Sequence, residues 1–139
     1  VDHINKIIQF YDLKVTWNVE DFYYQYYLKR RTYFQTYIYH RALLSEICDL
    51  GFDYSEYEIL PPIFIVADSA NFYEPLLYRL CIQDLEDAYN GFEHRNRWYV
   101  GLAETIKELK FAKSENVWNI SWENYNQRGI VDLIVKKDQ

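Results

Sequence analysis

Apolar and polar positions change period several times along the chain. Over residues 2–10, DHINKIIQF, Ile4, Ile7 and Ile8 fall near one side at helical spacing, with Asp2 placed as a cap. Residues 13–17, LKVTW, alternate instead. Leu13, Val15 and Trp17 stand against Lys14 and Thr16, which predicts a short strand with the apolar set buried. Asn18 or Asp21 then caps a long helix. No Gly or Pro interrupts it before Gly51, so it has room for about eight turns. Pro61 and Pro62 keep residues 51–66 extended or irregular. A second helix starts near Pro75 and buries Leu77, Leu80, Cys81, Leu85 and Ala88, and Gly91 ends it or marks a bend. Residues 92–110 read as a third helix. Trp118, Ile120 and Trp122 alternate in VWNISW, and GIVDLIV at 129–135 is a second apolar run, so the two predict a hairpin. The expected fold is α+β, mainly α: a long central helix with packed helices, one short N-terminal strand and a C-terminal β-hairpin.

Composition narrows the classes. With 139 residues the chain is read as a single domain, 1–139. Half the residues are hydrophobic and 26% are charged, a globular balance. No run of about 18 apolar residues is present, so no membrane span is expected, and no signal peptide is visible. Cys48 and Cys81 form no CxxC pair and are expected as buried free thiols. The expected setting is therefore intracellular and reducing, cytoplasmic or nuclear. The net charge of −6 argues against a general nucleic-acid binder. His3, His40 and His94 follow no HExxH spacing, so a self-contained metal centre is not expected. Tyrosine is in excess, with 15 residues, and seven of them lie between Tyr23 and Tyr39. Such rings suit interfaces and polar-walled pockets.

Candidate chemistry centres on the long helix. Tyr27 precedes Arg30 by three residues and Phe34 follows it by four, so all three share one helical face. A guanidinium between rings can fork onto a phosphate while the rings stack on a base. The same pattern also fits an amphipathic helix whose arginine reaches past packed rings to water. His40 and Arg41 follow nearly three turns later, as a second phosphate donor pair or a solvated basic pair. His94, Arg95 and Arg97 form the densest basic spot, suited to an anion or to salt bridges with Glu93 and Glu104. QRGIVDLIV resembles the acidic strand of a metal-dependent nuclease core. The Glu-x-Lys strand that such a core requires does not follow it before Gln139, so this reading is placed third.

The order of these pieces resembles the C-terminal half of the HD-domain deoxynucleoside triphosphate triphosphohydrolases, in particular the SAM- and HD-domain enzyme. The quoted segments are VDHINKIIQF, the strand LKVTW, and FYYQYYLKRRTYFQTYIYHR with Tyr24, Arg30 and His40 at the family's spacing. LEDAYNGFEHRNRWYVGLAE resembles a later family stretch. The resemblance implies that Arg30 holds substrate phosphates, that Arg95 touches a nucleotide at a subunit interface, and that His40 and Arg41 occupy an allosteric pair. Phe34 stands where the family has His, and Ile38 where it has Tyr. The family's metal ligands have no counterpart in this chain. The resemblance thus implies no cofactor within the chain, with a divalent metal only if an HD half is present.

The first expectation is a non-catalytic lobe, part of a larger metal-dependent hydrolase, that contacts nucleotide phosphates or serves assembly. A dNTP or GTP is its expected ligand, and self-association or a larger polypeptide its expected context. Tyr27, Phe34, Arg30, His40, Arg41 and Arg95 are its binding residues. The alternative is a small acidic protein-binding module of inhibitor or immunity type, with no nucleotide ligand.

Overall fold

A computed structural model describes residues 1–49, 54, 56–70 and 74–128. The chain divides into two compact units, Val1–Leu102 and Ala103–Gln139. The fold is mixed α/β. In the first unit, β1 (Ile7–Ile8) and β2 (Tyr11–Thr16) run parallel to β3 (Glu58–Ile59) and β4 (Ile63–Asp68). Between the two runs the chain crosses over through a π-helical turn, Tyr23–Leu28, and helix α1, Tyr33–Asp49. Pro61 and Pro62 lack the N–H a ladder needs, and they separate β3 from β4. Pairing persists around them, because Leu60 N donates to Ile8 O at 3.0 Å and Ile63 N to Phe10 O at 3.1 Å. Strand β5 (Leu76–Arg79) adds antiparallel to β4, giving the order β2-β4-β5. Helix α2 (Ile82–Asn90) and a hairpin of β6 (Gly91–His94) and β7 (Arg97–Val100) complete this unit.

The core forms where the crossover packs on one face of the sheet. Phe64 and Val66 of β4 are buried together with Val19, Phe22, Tyr27, Leu28, Tyr33 and Ala88. Rings mesh there: Phe22 lies 5.4 Å from Phe64, and Tyr27 lies 5.8 Å from Tyr33. Burial holds the Tyr27 hydroxyl protonated far above the ordinary tyrosine range. Tyr33 donates its hydroxyl to Val100 O at 2.9 Å, tying α1 to β7.

Strand β2 is present as expected, but its faces are reversed. Leu13 is 66% exposed and Trp17 is 61% exposed, with Tyr11 and Val15 exposed beside them. Asp12, Lys14 and Thr16 take the alternate positions. In register these pair with Phe64, Val66 and Asp68, so the charged pair lies on the core side of the sheet.

Other elements also differ from expectation. The long helix is broken. Its first part takes π spacing, with Lys29 N donating to Tyr24 O at 3.0 Å, and it closes on a longer turn in which Thr32 N donates to Tyr26 O at 3.2 Å. Arg31 then adopts φ 56°, a left-handed conformation that no continuous helix allows. The opening helix is replaced by a turn capped by Asp2, which accepts from Ile4 N at 2.9 Å and Asn5 N at 3.0 Å. Leu76–Arg79 is a strand, and α2 begins only at Ile82. Gly91 stops it as expected, with φ 90°. Cys81 precedes that helix and is exposed rather than buried, while the Cys48 side chain lies outside the described residues. The third helix gives way to β6 and β7 over residues 91–100. Their two-residue turn, Arg95-Asn96, has φ 51° and 58°, as a type I′ hairpin requires.

In the second unit, α3 (Leu102–Glu115) continues from the first, and α4 spans Trp122–Asn126. Ser121 Oγ accepts from Asn124 N at 3.3 Å and starts α4. VWNISW is therefore not a strand of a C-terminal hairpin, and GIVDLIV lies outside the described residues. No helix among the described residues is long and apolar enough to cross a membrane.

The reversed faces predict an inverted mutational pattern. Leu13→Ser should change the unfolding free energy by no more than about 0.5 kcal/mol, as at an ordinary surface position. Phe64→Ala should cost about 3–5 kcal/mol, as in a close-packed core. Urea denaturation of the two variants checks this, and the opposite ranking would restore the apolar-inward strand.

Candidate functional site

Burying charge is costly unless it is paired. Strand β2 nevertheless places an acid and a lysine two residues apart on its core side. The Lys14 ammonium lies 2.9 Å from Asp12 Oδ2, and their side chains are 23% and 19% exposed. Lys14 Nζ also donates to Gln35 Oε1 at 2.7 Å and lies 5.7 Å from the centre of the Phe64 ring. The break at Arg31 sets the position of Gln35. Helix α1 restarts at Tyr33, with Gln35 N donating to Thr32 O at 3.0 Å, and this first turn delivers the amide to β2.

The three groups are unequally satisfied. Lys14 has an anion, an amide oxygen and a ring face about it. Asp12 Oδ2 is shut off from solvent, makes no hydrogen bond and has the Lys14 ammonium as its ion-pair partner. A carboxylate oxygen in this state takes up a further cation or donor only when the ammonium moves aside. Asp2 differs, because its carboxylate is committed to Asn5 Nδ2 at 2.8 Å and to the two turn amides. Among the described residues no three His, Cys, Asp or Glu side chains gather as a metal cage. A Mg²⁺ or Mn²⁺ ion at Asp12 would have to displace the ammonium from Oδ2 and complete its shell with water and substrate oxygens. Mg²⁺ binds in this way in many phosphate sites, through one or two carboxylates.

The residues expected to bind nucleotide do not converge. Arg30 is exposed, and its guanidinium stacks 4.5 Å from the Tyr26 ring, not the Tyr27 ring. Tyr27 belongs to the core. Phe34 packs edge-on to Tyr33 at 4.8 Å. The π spacing and the Arg31 break remove the common face that a continuous helix would give Tyr27, Arg30 and Phe34. His40 is half-buried on α1, with Nε2 shielded and without a hydrogen bond, while Arg41 is exposed. Arg95 occupies the hairpin turn. No hydrogen bond or ion pair among the described residues joins Arg30, His40, Arg41 and Arg95.

Asp12, Lys14 and Gln35 are not among the expected site residues, although their signal is visible. A carboxylate-x-lysine pair in an alternating strand stands at residues 12–14, with Asp in place of the Glu of a Glu-x-Lys strand. Comparison with protein-family models, with curated proteins and with solved structures finds no match.

Removing half of a paired site should cost more than removing both halves. Asp12→Ala should destabilise the fold by about 1–3 kcal/mol, because it leaves Lys14 short of its anion. Adding Lys14→Met should recover part of that loss. A double-mutant cycle by thermal denaturation measures it, and strictly additive losses would show that the pair is uncoupled.

Proposed function

We propose that the first unit carries the acid-lysine strand of a metal-dependent phosphodiesterase of nuclease type. The observation that carries this reading is the Asp12–Lys14 ion pair on the core side of β2, with the ammonium also held by Gln35. Asp12 would hold a divalent cation, which when bound polarises the phosphate and lowers the charge that repels a nucleophile. Lys14 would donate to a non-bridging phosphate oxygen, where negative charge grows in the transition state. Gln35 orients the ammonium for that contact. Water attacks phosphorus, and the bond to the leaving oxygen breaks. That oxygen takes a proton from solvent, leaving an alcohol and a phosphate monoester. A net charge of −6 disfavours loose attraction of nucleic acid, so grip on a strand must come from local cations.

The test is hydrolysis of bis(p-nitrophenyl) phosphate and of a labelled single-stranded oligonucleotide, with Mg²⁺, with Mn²⁺ and with EDTA. Metal-dependent cleavage is expected. Asp12→Asn and Lys14→Met should each lower kcat by about 10²–10³-fold, the usual effect of removing a group that stabilises transition-state charge. Circular dichroism should show both variants folded. Absence of metal-dependent cleavage by the wild-type chain, or full activity in Asp12→Asn, would overturn the reading.

A further inference from the structure

The geometry points to a second site: the cavity between the Arg31 break and strand β7 binds the phosphate of a nucleotide unit whose base lies on the exposed rings at its rim. The site uses neither Asp12 nor Lys14, so it does not depend on the hydrolytic reading.

The cavity has a volume of about 190 Å³, and its walls include Lys29, Arg31, Arg97, Tyr24, Trp98 and Tyr99. No Asp or Glu is among its lining residues. In a chain with 21 acidic and 15 basic residues, three cations around one small cavity without a carboxylate are a marked local excess. None of the three is ion-paired among the described residues. An anion in the cavity would face these cations with no lining carboxylate to compete.

The two walls come from distant parts of the chain and are fixed to each other. Tyr33, immediately after the break, donates its hydroxyl to Val100 O at the end of β7. Tyr99 is stacked on Phe92 at 5.2 Å, and the Arg97 guanidinium lies 5.5 Å from the Tyr99 ring centre. The cations therefore sit on a braced frame. Arg31, which lines the cavity, holds φ 56°, a backbone state that costs energy.

Size and chemistry select the ligand. The volume lies below the ~300 Å³ lower bound for drug-sized pockets, so it suits a phosphate with part of its sugar rather than a whole nucleotide. Trp98 is 56% exposed and Tyr24 48% exposed at the same walls, which leaves ring faces for a base outside. Base–aromatic stacking and guanidinium–phosphate contacts are the two usual parts of a single-strand grip. The expected residues Arg30 and Arg95 thus flank the cavity in sequence, while their neighbours Lys29, Arg31 and Arg97 line it.

The test is calorimetric titration of the full chain at low salt in EDTA, with inorganic phosphate, deoxyadenosine, deoxyadenosine monophosphate and a ten-residue oligothymidylate. The monophosphate should bind at least tenfold tighter than deoxyadenosine. Lys29→Gln and Arg97→Gln should each weaken it fivefold or more without shifting the unliganded Tm, and Arg31→Lys should retain it. Trp98→Leu should weaken the monophosphate but not inorganic phosphate. A 5′-phosphate that tightens the oligonucleotide places a terminal phosphate in the cavity, and equal binding with and without it places an internal one. Asp12→Asn should bind the monophosphate like the wild type, which separates this site from the hydrolytic one. Equal affinity for monophosphate and nucleoside, or unchanged binding in both glutamine variants, would overturn the proposal.

Discussion

An acid and a lysine turned toward the interior of β2 constrain much of the first unit. Each charge is tolerable there only because the other is beside it and Gln35 closes over the ammonium. The arrangement opposes the hydrophobic pattern of the strand, since a slip of one residue would put Leu13 and Val15 inside and both charges outside. It leaves the opposite face apolar and exposed along Tyr11, Leu13, Val15 and Trp17. Burial of those four would release more hydrophobic free energy than burial of Asp12 and Lys14. A chain that forgoes this gain at one strand violates local rules in the way functional sites do.

The break at Arg31 connects this pair to the remainder of the unit. An unbroken helix from Asn18 would carry Gln35 and Tyr33 round at a constant 100° per residue. The π spacing and the left-handed residue reset that angle. After the reset, Tyr33 enters the core and reaches Val100, Thr36 is buried, and Gln35 meets Lys14. The same irregularity turns Lys29 and Arg31 toward β7. One local departure from helical geometry thus orders two clusters of charged groups.

Much of the fold can be read from residue pattern where local and global forces agree. The strand near residue 15, the extended run around the prolines and the stop at Gly91 follow from alternation, missing N–H groups and glycine conformation. The failures share a cause. Strand β2 defeats the assumption that its apolar side faces inward, and this hid Asp12 and Lys14. The helix from Asn18 lacks Gly and Pro, yet it breaks at an arginine because tertiary packing of Tyr27 and Tyr33 outweighs a cost of about 1–2 kcal/mol for one left-handed residue. The hairpin turn at Arg95-Asn96 carries no glycine, and only Asn96 hinted at it. Arg30 shares a face with Tyr27 and Phe34 only in an unbroken helix, and that face ceases to exist when the helix is interrupted.

Cysteine accessibility measures the orientation of β2 directly. With Cys48 and Cys81 replaced by serine, single cysteines at positions 11–16 are labelled by a maleimide under native conditions. Labelling should be fast at Tyr11→Cys, Leu13→Cys and Val15→Cys, and at least tenfold slower at Asp12→Cys, Lys14→Cys and Thr16→Cys. Fast labelling at positions 12, 14 and 16 with protection at 13 and 15 would contradict that orientation.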